Sequence, residues 1–214
     1  MTQRVTATID VAAIRHNLRV VRQYAPTSHV MGALKADAYG HGAVRVAHAL
    51  DAELDAIAVA CLDEAVELSD AGCQTPCVLL EGLIDRSELP EVIARRDRLV
   101  IHAPWQLDVL RRASSEARIP VWIKLDTGMN RLGFDAARAS AIFADVDAMP
   151  QLQLLGWMTH LANADALDRE ATEAQLAQFF RAVEGLPGAL MWTDTINRDE
   201  ASATQRVTVP ADLV

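Results

Sequence analysis

Short apolar runs alternate along this chain with segments whose apolar residues recur every three or four positions. Residues 30–34, 56–60, 77–80, 99–101, 121–125 and 152–158 are apolar almost throughout, and each predicts a short buried strand. Between them run helical stripes. Val11, Ile14, Leu18 and Val21 follow Asp10, a candidate N-cap, and Val44, Ala47 and Leu50 form a second stripe. Ala65 with Leu68, residues 89–94, Leu107 with Leu110, residues 136–146 and a long stretch over 170–183 continue the alternation. Strands that are apolar on both faces belong to parallel sheets covered by helices, so the fold class is α/β. The units are evenly spaced, and no Gly-x-Gly-x-x-Gly follows the first strand. That favours a (β/α)8 TIM-type barrel over a doubly wound sheet.

Polar residues fall repeatedly just after a strand: Lys35, Glu81, His102, Asp126 and His160. Barrel enzymes place their chemistry at that end of the strands. Lys35 stands out, because residues 30–34 predict a buried strand that delivers it into a Gly-punctuated turn opening a helix. Desolvation there disfavours the ammonium and makes the amine competent to form a Schiff base. Each residue also has a plainer reading. Lys35 alone reads as a snorkelling surface lysine, and Tyr39 as a packing aromatic. Lys124 with Asp126 reads as an inward polar pair, Arg131 as a partner of Asp126, and His160 as a structural histidine. His16, His29, His41, His48 and His102 read as structural or surface groups, and Asp63, Glu64 and Asp194 as helix-start or solvated carboxylates.

Composition narrows the class. A net charge of −9 over 214 residues argues against nucleic acid or an anionic membrane as partner. No apolar run reaches the length of a membrane span, and the N-terminus carries no signal segment. Cys61, Cys73 and Cys77 are odd in number and lie in or beside apolar runs, which predicts reduced, buried thiols in a cytoplasmic protein. No second Cys or His pair matches the spacing of Cys73 and Cys77, so no metal site is expected.

Three ordered motifs carry a family resemblance. Leu34-Lys35-Ala36-Asp37-Ala38-Tyr39-Gly40-His41-Gly42 resembles the pyridoxal-phosphate motif of the alanine racemases. Lys124-Leu125-Asp126-Thr127-Gly128-Met129-Asn130-Arg131-Leu132-Gly133 and Gly156-Trp157-Met158-Thr159-His160-Leu161-Ala162-Asn163-Ala164-Asp165 are similar to two further stretches of that family. The opening around Ile9 and Asp10 matches as well, so the resemblance covers about residues 4–188. It implies an eight-stranded α/β barrel that binds pyridoxal 5′-phosphate, interconverts L- and D-alanine and works as a homodimer. By the same resemblance, Lys35 bonds the cofactor and exchanges the α-proton on one face. Tyr39 contacts the cofactor phosphate, and Arg131 the ring's phenolic oxygen and, with Met129, the substrate. His160 lies near the pyridine ring, and Lys124 is a site of carbamylation. D-alanine supply for cell walls, or alanine catabolism, is the implied setting.

The resemblance dissolves after Gly188. The family's phosphate serine, its last barrel strand and its C-terminal β domain, with the tyrosine that serves the opposite face, have no counterpart in residues 189–214. The expected organisation is therefore an incomplete barrel over 1–188 and a divergent tail, the product of a frameshift or recombination. Racemase activity impaired by truncation is the expectation. A racemase of another amino acid, a non-catalytic pyridoxal-phosphate-binding protein and an inactive gene remnant stand beside it.

Overall fold

The structure is a computed structural model, and it describes residues 7–114 and 116–193, with the side chains of 189–193 left out. The tail beyond 193, including Asp194, and residues 1–6 lie outside the described residues.

Strands and helices alternate as the apolar pattern predicts. Helix α1 (Val11–Tyr24) starts where Asp10 accepts the N–H groups of Ala12 and Ala13. Strand β1 (Met31–Ala33) leads to a turn over residues 35–40 and helix α3 (Ala43–Leu50); that turn takes the label α2. Then come β2 (Ala56–Val59), α4 (Leu62–Asp70), β3 (Cys77–Leu79), α5 (Leu89–Arg95), β4 (Arg98–Ile101) and α6 (Pro104–Leu110). The chain continues through β5 (Ile119–Asp126), a two-residue β6 (Phe134–Asp135), α7 (Ala139–Asp147), β7 (Leu152–His160), α8 (Glu170–Val183) and β8 (Ala189–Thr193).

All pairings are parallel, in the order β1-β2-β3-β4-β5-β7-β8, with β6 hung on the end of β5. Sequential parallel strands with helical crossovers make a (β/α) barrel wall, but among the described residues β1 and β8 do not pair. The barrel is open. The apolar pattern predicts six strands and places Ala189 in the tail; instead residues 189–193 extend the wall along β7 from Gly156 to His160.

The two faces of the wall pack differently. Ile57, Val59, Leu79, Leu99, Ile101, Val121, Ile123 and Trp157 face the helices and pack with them in the main core. Ala56, Val78, Val100, Trp122, Leu155 and Met158 form a smaller cluster on the opposite, inner face. Strand periodicity then carries Lys124 and His160, two residues beyond Trp122 and Met158, onto the inner face at the strand ends.

One expectation fails here. The strand before Lys35 is not buried: Met31 and Gly32 are half-buried and Ala33 is exposed. As an edge strand β1 pairs only with β2 among the described residues, which leaves its outer side open there. Lys35 is accordingly half-buried. The buried lysine is Lys124, with 6 % of its surface exposed.

Candidate active site

The residues following Lys35 adopt a conformation that their side chains disfavour. Ala36, Asp37, Ala38 and Tyr39 have φ between 51° and 54°, a left-handed turn made without glycine. Each L-residue so placed costs about 1–2 kcal/mol, so the surrounding structure must hold the turn. Ala38 N–H donates to Leu34 O (2.8 Å) and Gly42 N–H to Asp37 O (3.0 Å). Two carboxylates secure the ends. Asp37 accepts Ala43 N–H at the start of α3 (2.7 Å). Glu64, from the first turn of α4, accepts Ala36 N–H through Oε1 (2.7 Å) and Ala60 N–H through Oε2 (2.6 Å). The turn exposes Tyr39, whose ring centroid lies 6.0 Å from the Lys35 ammonium.

The second motif spans the end of β5 and the loop that follows it. Asp126 accepts the N–H groups of Gly128 (2.9 Å) and Asn130 (3.0 Å), folding the loop back on itself. This carboxylate therefore organises the loop, and no Arg131–Asp126 ion pair forms among the described residues. Gly133, at φ 141°, closes the loop against the strand it left: a Cβ there would stand 2.5 Å from Asp126 N. Met129 is half-buried in this loop, and Arg131 is exposed at its tip.

Buried amides tie the strand ends together. Gln175 of α8 accepts Ala162 N–H (2.9 Å) and donates to His160 O (3.2 Å) and Thr127 Oγ1 (3.4 Å). Thr127 and Thr159 join β5 to β7 hydroxyl to hydroxyl at 2.8 Å. Gln106 of α6 accepts His102 N–H and donates to the carbonyls of Glu81 and Leu83. His102 is thereby fixed with Nε2 2.9 Å from Glu81 O, beside Lys124. From sequence, Glu64 has only a helix-start or solvated role and neither Gln106 nor Gln175 is singled out, because each reaches a backbone group distant in sequence; a glutamine on the apolar stripe of a helix is the signal for the latter two.

Charge brings the site together. Burial first, and then Arg131 and Lys35, push Lys124 down to about 8. Burial and the fields of Lys124, Arg131 and Lys35 push His160 down to about 4. Lys124 and His160 stand at the ends of β5 and β7, Arg131 and Lys35 are close enough for their charge to act on both, and Tyr39 lies beside Lys35. The patch is a cluster of cations with Glu81 and Asp126 only partly offsetting it, and it suits an anionic ligand.

Comparison with known proteins gives the family and the fold. The family model "Alanine racemase, N-terminal domain" matches residues 9–211. The chain belongs to this family. The alanine racemase N-terminal domain match continues past Gly188, where the motif resemblance stops. An alanine racemase of Thioalkalivibrio sulfidiphilus is 47% identical over 190 residues, 88% of this chain and 53% of that protein. The catabolic alanine racemase of Pseudomonas aeruginosa is 44% identical over 184 residues, 86% of this chain and 51% of that protein. The crystal structure of the biosynthetic alanine racemase from Pseudomonas aeruginosa superposes with a TM-score of 0.81 at 36% identity, covering 86% of this chain and 51% of that one. The chain thus spans about half the length of the relatives it matches. Among the described residues no helix is long and apolar enough to cross a membrane.

Proposed function

We propose that this chain is the cofactor-holding barrel of an alanine racemase and that Lys35 is the residue that carries pyridoxal 5′-phosphate. The observation behind the reading is the convergence of a half-buried primary amine with Lys124 and Arg131, a cationic patch short of anions. An aldehyde that bears a phosphate and a phenolic oxygen fits such a donor set. When bound, pyridoxal 5′-phosphate supplies an electron sink that acidifies the α-carbon of an amino acid.

The chain's own residues supply the rest. Lys35 holds the cofactor and takes or returns the α-proton at Nζ on one face. Tyr39, exposed on the left-handed turn, offers its hydroxyl to the phosphate. Arg131 directs its guanidinium to the phenolic oxygen and the substrate carboxylate, and Met129 borders the substrate. His160, titrating near 4, is neutral at pH 7 and keeps a second cation away from the ring. Lys124, titrating near 8, is neutral in about a tenth of molecules at pH 7, far more than an ordinary lysine. Its nitrogen can add to carbon dioxide and lose one proton, giving a carbamate anion that attracts Arg131. A homodimer with shared sites is part of this reading, by analogy with the family.

The test is α-proton exchange of L-alanine in heavy water, followed by proton NMR with added pyridoxal 5′-phosphate. The wild type is expected to lose the α-proton signal and Lys35→Ala to retain it. Retention in both would reject the catalytic reading.

A further inference from the structure

We propose that Glu64 is a positioning residue for Lys35: its carboxylate clamps the first left-handed residue after the lysine to the end of β2 and so sets where the amine points. This rests on the reading of Lys35 as the cofactor-bearing lysine.

The argument is geometric. Ala36, at φ 52°, is where the chain departs from β1 into the left-handed region. Its N–H is the peptide that joins it to Lys35, so whatever holds that N–H also holds the peptide plane from which the Lys35 side chain departs. Glu64 Oε1 holds it at 2.7 Å. The second oxygen, Oε2, is anchored 2.6 Å from Ala60 N–H, just beyond β2, the strand on which β1 pairs. Both carboxylate oxygens are thus engaged by rigid backbone, and the clamp spans from the wall to the turn. Asp37 secures the far end of the turn, away from Lys35. A solvated helix-start carboxylate would stabilise α4 through its dipole alone and would not reach a residue 28 positions earlier.

Glutamine keeps one acceptor oxygen but turns an N–H₂ toward the other backbone donor, so Glu64→Gln retains half the clamp. Alanine removes both. Glycine at position 36 reaches positive φ freely and needs no clamp.

The experiment uses the full chain and pyridoxal 5′-phosphate itself. Cofactor affinity is read by titration, the geometry of the bound cofactor by visible circular dichroism, and attachment by borohydride reduction and peptide mapping of Lys35. Asp85→Ala is the control, since Asp85 also accepts two hydrogen bonds, from Ser87 N–H and Oγ–H. Relative to wild type, Glu64→Ala is expected to weaken binding about tenfold to a hundredfold and to change the visible signal. Glu64→Gln should fall between, Asp85→Ala should match wild type, and Ala36→Gly with Glu64→Ala should recover most of the loss. Wild-type affinity and signal in both Glu64 variants would overturn the proposal, and so would a loss that Ala36→Gly fails to rescue. If Glu64→Ala does not fold, Glu64→Gln alone decides between the same two results. A wild type that takes no label on Lys35 rejects the cofactor reading itself, whatever the Glu64 variants do.

Discussion

Lys124 and His160 sit at the ends of neighbouring strands, and the lysine helps keep the imidazole neutral. Burial is the larger cause of the histidine's displacement to about 4, with Lys124 the strongest charge acting on it and Arg131 and Lys35 adding to it. Lys124→Met is therefore expected to raise the His160 pKa from about 4 toward its ordinary value, and histidine NMR titration in carbonate-free buffer reads it. An unmoved His160 would mean that the two groups do not share a field.

The same pair sets a pH dependence of stability. His160 takes up its proton near 4 in the fold but near 6.5 when unfolded. The unfolded chain binds more protons between those values, so stability falls as pH drops through that window. Lys124 releases its proton near 8 in the fold and near 10.5 when unfolded. Here too the unfolded chain binds more protons, so stability rises with pH from about 8 to 10.5, by roughly 3 kcal/mol at most. Urea unfolding across pH should show both rises in the wild type, and Lys124→Met should lose the alkaline one.

Two buried tryptophans should respond unequally to phenylalanine. Trp157 Nε1 donates to Pro187 O at 2.9 Å, whereas Trp122 Nε1, on the inner face, finds no acceptor among the described residues. Trp157→Phe loses a bond and volume and is expected to cost about 2–4 kcal/mol. Trp122→Phe removes an unsatisfied donor along with its volume and should fall within about 1 kcal/mol of wild type. Equal losses in chemical denaturation would contradict this.

Gly133 has no room for a side chain. With φ at 141° and a Cβ position 2.7 Å from Leu125 C, Gly133→Ala must displace either the strand end or the loop. A loss of about 2–4 kcal/mol is expected from backbone strain and overpacking together. The Asp126 loop should move with it, weakening cofactor binding as well as lowering the urea midpoint.

The wall of the barrel was readable because its strands are short, apolar and spaced by helical stripes. Helix α1 begins at Asp10 and α8 covers the residues its stripe predicts. Strand β8 escaped because polar residues follow its short apolar run, and only pairing with β7 identifies it. The turn after Lys35 was legible as a turn through Gly40 and Gly42. Its hand was not, since Ala36, Asp37, Ala38 and Tyr39 do not favour positive φ and are held there by Glu64, Asp37 and backbone contacts. Burial also misled: the apolar run before Lys35 is an edge strand, and the desolvated lysine is Lys124, whose position on the inner face follows from the period of β5.

Borohydride reduction of the full chain with pyridoxal 5′-phosphate, followed by peptide mapping, tests the central claim most directly. The account predicts a pyridoxyl label on Lys35, absent in Lys35→Ala, with Lys124 unlabelled despite its lowered pKa. A label that falls on Lys124, spreads over both lysines of the chain or fails to form would contradict it.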